Sequence, residues 1–465
     1  MAKAKREKTE RAKVVVRDLD VEIPLVPVVA LLHENVTAAM CGEVFGELRT
    51  SERERKLSLF ALARFWLSVI LEAPASLSQQ LERARRRPPE GFLPEINVRA
   101  SSFFEKCQNF SSVFFDQLHR RFVESILPEI PKRYAQEVAH LQKKFRDVFV
   151  IDGSRLGKVA HRLKILWPEK AAVLPGSILA IYDLFRGIAR QVWFDADAAS
   201  AEFNRAHVAL QLLEEGTLVM GDRLYCSLEL FGVLGDAKCF GVFRKTKSVS
   251  TKAIEVLARV DTEGGLLEDV LVKAGKGDGA MTLRLVRLTR EGKTYEALTN
   301  VLDPERLSAK DIVTLYPLRW SVERLFYDLK VVLNLERFHA ANPNAVAMQV
   351  YAAVMVHAAL RVAQAQIAQK AKIKPEELSP AKLFPLLALV SMMLIEAEYY
   401  FERICEANQG VKLRKPNWHD LPGSIISLRY LLVQRRTGPR KRRKFHPDRK
   451  KWKSFTRVRG GKKLT

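Results

Sequence analysis

One short stretch holds residues of the types and spacing that phosphoryl chemistry uses. In Tyr316–Lys330, which reads Y-P-L-R-W-S-V-E-R-L-F-Y-D-L-K, the apolar residues Leu318, Val322, Leu325 and Leu329 recur at steps of three and four, the period of an amphipathic helix. Pro317 suits the first turn, where its missing N–H costs nothing. At about 100° per residue, with Tyr316 as zero, Arg319 falls at roughly 300°, Glu323 at roughly 340° and Lys330 at roughly 320°. One acid and two bases share a narrow face, with Tyr316 at its entrance. Taken alone, the helix also fits a solvated face held by an i,i+4 Arg–Glu pair. Trp320 lies about 100° round from Arg319 and is expected in the core.

Two aspartates upstream add weight to the chemical reading. Asp152 ends a β-rich run, Asp147-Val-Phe-Val-Ile-Asp152, before Gly153. Asp222 ends a second buried-type strand, Thr217-Leu-Val-Met-Gly-Asp222. Carboxylates at the ends of neighbouring strands converge at one edge of an α/β sheet, where ligands bind. Three packed acids raise one another's pKa unless a cation neutralises them, and all-oxygen donors select Mg2+ or Mn2+ over zinc. Two such ions would activate a water or a 3′-hydroxyl and stabilise the leaving oxygen of a phosphodiester, with Arg319 and Lys330 on the flanking phosphates. Arg223 is placed to meet either phosphate or a local acid. Arg244, Lys245 and Lys247 follow a strand at Cys239–Arg244, as DNA contacts or as a solvated turn.

Composition points the same way. The 465 residues hold 77 Lys and Arg against 53 Asp and Glu, a formal charge of +24, which implies a polyanionic partner, with nucleic acid first. From Arg435 onward, 15 bases face the single acid Asp448, and Phe445, Trp452 and Phe455 are interleaved, a pattern suited to tracking phosphates with occasional stacking. The five cysteines are scattered without C-x-x-C, as a reducing cytosol permits, and each reads as a small buried hydrophobe. No signal peptide is read at the N-terminus. The most apolar run, Pro385 to Ile395, reads as too short to span a bilayer, and Met392 and Met393 within it as core. No zinc spacing or phosphate-binding Gly-rich loop appears.

The elements that must position these residues follow in order. Residues 1–13 form a basic arm, within a helical N-terminal domain spanning 1–145. It includes Glu52–Leu71, Ser76–Arg86 and a basic cluster at Arg83–Arg87, and is either a helix-turn-helix or a plain bundle. An α/β core follows in two parts, 146–245 and 307–370, with a mixed sheet, a hairpin at Arg186-Gly187 and a helix near Ala199–Glu215. Between them 246–306, punctuated by glycines, reads as an antiparallel β insertion with strands Leu266–Lys273, Thr282–Arg290 and Thr294–Val301. Helices from about Asn344 to Ala371 and Pro380 to Cys405 lead through a helical region, 371–434, to the basic tail, 435–465.

The chain resembles the DDE transposases of the insertion-sequence four family. Their signature Y-x2-R-x3-E-x6-K is met by Tyr316, Arg319, Glu323 and Lys330; Asp152 stands in V-I-D-G-S and Asp222 in G-D-R-L-Y. The likeness covers roughly 146–340. It implies a ribonuclease H-like core with Asp152, Asp222 and Glu323 as ligands of two Mg2+ or Mn2+ ions, and Tyr316, Arg319 and Lys330 on transposon-end phosphates. It further implies cleavage at inverted repeats and transfer of the 3′ ends to target DNA by a synaptic homodimer in the prokaryotic cytoplasm, at the nucleoid. Some members hold a flipped base with a Trp in the insertion, where this chain has Tyr295 as its only aromatic. The rival readings are a non-catalytic DNA-binding derivative and a nuclease that never joins.

Overall fold

The computed structural model describes residues 20–23, 27–48, 56–87, 92–93, 95–156, 176–197, 202–262, 265–340, 342–407 and 424–433. The basic arm, residues 51–55 and 199–201, and the basic tail with its three aromatics lie outside them. In chain order the elements are β1 (Asp20–Ile23), α1 (Pro27–Asn35), α2 (Ala38–Leu48), α3 (Leu59–Glu72), α4 (Leu77–Ala84), α5 (Ala100–Asn109) and α6 (Val113–Ile126). The α/β part follows with β2 (Val148–Arg155), β3 (Ser177–Asp183), β4 (Ile188–Asp195), α7 (Glu202–Gln211), β5 (Leu218–Gly221), α8 (Leu228–Asp236) and β6 (Phe240–Arg244). Then come β7 (Thr251–Thr262), β8 (Gly265–Ala274), β9 (Met281–Arg290), β10 (Lys293–Thr299), α9 (Ala309–Leu315), α10 (Trp320–Tyr327), α11 (Pro343–Lys370), α12 (Pro380–Ala407), β11 (Ser424–Ser427) and α13 (Leu428–Leu431).

The fold is mixed α/β around a nine-stranded sheet of order β4-β3-β2-β5-β6-β10-β9-β8-β7. At its centre β2, β5 and β6 run parallel, and β5 is buried along its whole length, as a strand covered on both faces must be. One face of these strands carries Phe149, Ile151, Val219 and Phe243 into a core closed by α7 and α8. The β3–β4 hairpin turns at Gly187, whose φ of 73° suits glycine. Asp183 secures the turn by accepting from the Phe185 and Arg186 amides and pairing with the Arg186 guanidinium.

Several sequence expectations are corrected here. β2 does not stop at Asp152 but runs to Arg155, because β3 pairs with it as far as Ser177↔Arg155. The antiparallel strands after β6, read as an insertion, extend the central sheet: β10 pairs with β6. Strand β7 went unread because its mostly exposed residues carry no burial period. Helix α3 begins at Leu59, capped by Ser58, rather than at Glu52. α7 begins at Glu202 and ends at Gln211, short of Glu215.

The 28-residue helix α11 is apolar all round and buried nearly throughout, the position such a helix takes in a large core. Helices α1, α3 and α6 and strand β4 pack on it. By length and composition, Pro343–Lys370 and Pro380–Ala397 are both long and apolar enough to cross a membrane, contrary to the reading of a single short run. For α11 that apolarity is spent inside the protein, its whole apolar window being buried; for Pro380–Ala397 the share is 44%. On α12, Met393 and Leu389 are exposed rather than core. Four cysteines are buried, and Cys405 is partly exposed.

Two buried polar side chains make the fold testable. Arg284 on β9 is fully buried, donating Nε to Asp269 Oδ1 at 2.7 Å and its other nitrogens to the carbonyls of Val301 and Leu307. Arg284→Ala strands a buried carboxylate and is expected to cost about 3–5 kcal/mol in urea unfolding, largely recovered when Asp269→Leu accompanies Arg284→Met. His119 on α6 is buried against Tyr351, and burial pulls its pKa down to about 3. Its neutral form is bound in the fold, so its stabilising contribution is complete above the unfolded pKa near 6.5 and is lost as pH falls towards 3. Urea midpoints are expected to drop across that window, and less steeply in His119→Leu.

Candidate active site

The two aspartates come together through strand register. β2 and β5 pair in parallel with Val148↔Leu218, Phe149↔Val219 and Val150↔Met220. Asp152 on β2 and Asp222, directly after β5, each stand two residues beyond the last of these pairs, hence on the same face of the sheet and about one strand spacing, roughly 4.8 Å, apart across the strands. β6 continues the row: Met220↔Val242 and Gly221↔Phe243 put Arg244 beside Asp222 on that face. Asp222 also caps the turn that follows β5, accepting from the Leu224 amide.

Glu323 reaches the row from the helix, through Arg319. The stretch from Tyr316 is not one regular helix: Tyr316–Arg319 is a 3-10 turn, α10 follows, and Asp328–Val332 is a π-turn, a bulge often found at functional sites. Arg319 is buried and donates Nη1 to Asp152 Oδ2 at 3.2 Å and Nη2 to Glu323 Oε1 at 3.0 Å. One guanidinium therefore bridges two of the three acids. The π-turn brings Lys330 over the end of β2, where Nζ donates at 2.6 Å to Ser154 Oγ and to the Arg155 carbonyl. Burial lowers the Lys330 pKa.

The remaining residues sort by position. Tyr316 stacks on Tyr295 with ring centroids 4.7 Å apart, and the guanidiniums of Arg319 and Arg244 lie over Tyr316 and Tyr295 respectively. Lys245 pairs with Glu296 at 3.9 Å on the other face of the sheet. Arg223 and Lys247 are exposed. Trp320 corrects its expectation: it is 60% exposed, because Arg319 and Val322 take the buried positions on either side of it and turn it to solvent. It flanks the Arg319 guanidinium at 5.3 Å.

A fourth carboxylate, unread in the sequence, stands here. The Glu202 carboxyl, in the first turn of α7, lies against Gly153 and accepts from the Tyr225 hydroxyl. The signal for it was Gly153, the residue after an acid where a side chain would block close approach. Burial pushes the Asp152 pKa up to about 7; Arg319 opposes this, and Glu202 and Asp222 add to it by smaller amounts.

The donor set is all carboxylate oxygen, which fits Mg2+ or Mn2+. Arg319 is the stand-in for positive charge between Asp152 and Glu323. Among the described residues no three such side chains are gathered closely enough to hold one ion as they stand, so closing on a cation requires the guanidinium to give way. Arg319→Ala is expected to lower the melting temperature without divalent ions, by the equivalent of about 1–2 kcal/mol after discounting for the half-exposed Glu323. Added Mg2+ should restore part of that loss; a melting temperature unchanged by the mutation would deny the bridge any stabilising role.

Residues 144–358 match the model of the transposase DDE domain. A Sinorhizobium fredii protein named as the transposase y4zB is 29% identical over 191 residues, 38% of this chain and 54% of that protein. A Synechocystis sp. protein named as the transposase for insertion sequence element IS4SA is 29% identical over 92 residues, 19% of this chain and 27% of its own length. The chain thus spans about half or less of these relatives. Among solved structures, a piggyBac transposase synaptic complex with hairpin DNA aligns with a TM-score of 0.38 and 11% identity over 86% of each chain, a likeness too loose to carry argument. The domain match, which includes Asp152, Asp222 and Glu323, and the two relatives together support a DDE transposase.

Proposed function

We propose that this chain is a cut-and-paste DNA transposase of the insertion-sequence four kind, with a ribonuclease H-like core. It cleaves transposon ends at inverted repeats and transfers their 3′-hydroxyls to target DNA. The observation that carries the reading is the parallel pairing of β2 with β5, which sets Asp152 and, just past the end of β5, Asp222 in one row, with Asp152 joined to Glu323 through Arg319. Asp152, Asp222 and Glu323 are the residues that would hold two Mg2+ or Mn2+ ions, which when bound supply an activated water or 3′-hydroxyl and stabilise the leaving oxygen.

The chain's own residues do the positioning. Arg319, freed from the two acids, turns its fork to the phosphate flanking the scissile bond, a geometry guanidinium matches with paired hydrogen bonds. Tyr316 lies at the mouth of the same face, and Lys330 presents a point charge beyond it. Arg244 and Arg223 extend the cationic rim for DNA on either side, while Lys245, paired with Glu296 on the other face, stands outside it. The +24 charge supplies sequence-independent attraction to the duplex, and base-specific reading falls to the N-terminal helices. The working form is a homodimer that holds two ends, in the cytoplasm at the nucleoid.

The test uses a plasmid bearing the inverted repeats that flank the coding region. With Mg2+ the wild-type chain is expected to nick at the ends, and pre-cut ends are expected to join to target DNA. Asp152→Ala, Asp222→Ala and Glu323→Ala should each reduce cleavage to background while end binding persists. Cleavage retained in any of the three removes that residue from the site; cleavage without joining would make the chain a nuclease.

A further inference from the structure

We infer that Asp328 and His357 are positioning residues for Lys330: paired in the core, they fix the π-turn of Asp328–Val332 and so set Lys330 at the end of β2. The pair is read from packing alone; what it does for DNA rests on the transposase reading above.

Asp328 and Lys330 are two residues apart, roughly 200° round the axis at about 100° per residue, so they face opposite sides of the turn. On one side Lys330 Nζ donates to Ser154 Oγ and to the Arg155 carbonyl. On the other, Asp328 is only 2% exposed, and its Oδ2 lies 3.6 Å from Nε2 of the buried His357 on α11. Asp328 Oδ2 and both ring nitrogens of His357 have no hydrogen-bond partner among the described residues. Burial lowers the His357 pKa, so the ring is neutral and can donate from Nε2. Phe384 of α12 packs edge-on against the same ring, centroids 5.8 Å apart. One turn further along α11, Arg361 donates to Gly187, Gln364 and Tyr182 rather than to Asp328.

The bland account is that Leu329 and its apolar neighbours seat the turn and that Asp328 is buried incidentally. Apolar packing is non-directional, and a leucine at 328 would serve it at least as well. A desolvated carboxylate facing a desolvated imidazole is costly in every arrangement that separates them. At 3.6 Å the contact is already longer than a formed hydrogen bond, so further separation leaves both groups wholly unpaired. Such a pair selects one placement of the turn rather than adding net stability, the use of buried polar groups best attested in fixing register.

The test is limited acetylation of the full-length chain with acetic anhydride, free of DNA and divalent ions, with each lysine read by mass spectrometry. Wild-type Lys330 is expected to react more slowly than the exposed Lys252. Asp328→Leu combined with His357→Phe replaces the pair by apolar groups. It is expected to leave the melting temperature unchanged or raised, while Lys330 acetylation rises about 10-fold and that of Lys252 stays constant. His357→Gln, which can still donate to Asp328, should keep Lys330 slow. Should the double variant not fold, Asp328→Asn, which keeps the shape but loses the charge, is expected to speed Lys330 acetylation by a smaller factor. Wild-type protection of Lys330 in whichever of these two folds would overturn the positioning role. End binding tests the other reading separately: the double variant is expected to bind transposon ends as weakly as Lys330→Ala. Fast Lys330 acetylation with undiminished end binding in both would leave the positioning role standing and remove Lys330 from the DNA contact.

Discussion

The parallel pairing of β2 with β5 is the constraint on which the site depends. Hydrogen bonds between Val148–Val150 and Leu218–Met220 fix two acids, 70 positions apart in the chain, on one face and one row. A slip of one residue would send either aspartate to the opposite, apolar face, where Ile151 and Val219 pack under α7 and α8. Burial of those side chains is what holds the register. The chemistry on one face is thus stabilised by the hydrophobic core on the other, and β6 extends the same logic to Arg244.

Crowding acids has an electrostatic cost, and the fold meets part of it locally. Arg319, buried between Asp152 and Glu323, supplies local positive charge. Asp152 nevertheless sits with its pKa raised to about 7, chiefly because it is buried, with Arg319 opposing the rise and Glu202 and Asp222 adding to it. The broken helix that carries Arg319 and Glu323 also carries Lys330 on its π-turn, and Lys330 meets Ser154 at the end of β2.

Much of this was legible in the sequence because the signals are local. The runs at Val148 and Leu218 are strands, the Arg186-Gly187 turn is a hairpin, and the Tyr316 spacing puts Arg319 and Glu323 on one face. What was not legible depends on pairing and packing. Continuity of the sheet from β6 to β10 leaves no periodic trace, and β7, exposed along its length, has none to leave. Trp320 was expected in the core from its angle round the helix, yet Arg319 took the buried place, where its two carboxylate partners compensate the buried charge. Glu202 was invisible because its meaning lies in Gly153 and Tyr225, 49 and 23 positions away. The gap to Tyr225 is crossed only by folding.

The most direct test of the central claim is anomalous diffraction from crystals of the chain soaked in Mn2+. The account predicts anomalous peaks in contact with the carboxylates of Asp152 and Asp222, at least one of them shared with Glu323, and the Arg319 guanidinium swung away from Asp152. Peaks confined to other parts of the surface, with Arg319 still bridging Asp152 and Glu323 at saturating Mn2+, would contradict it.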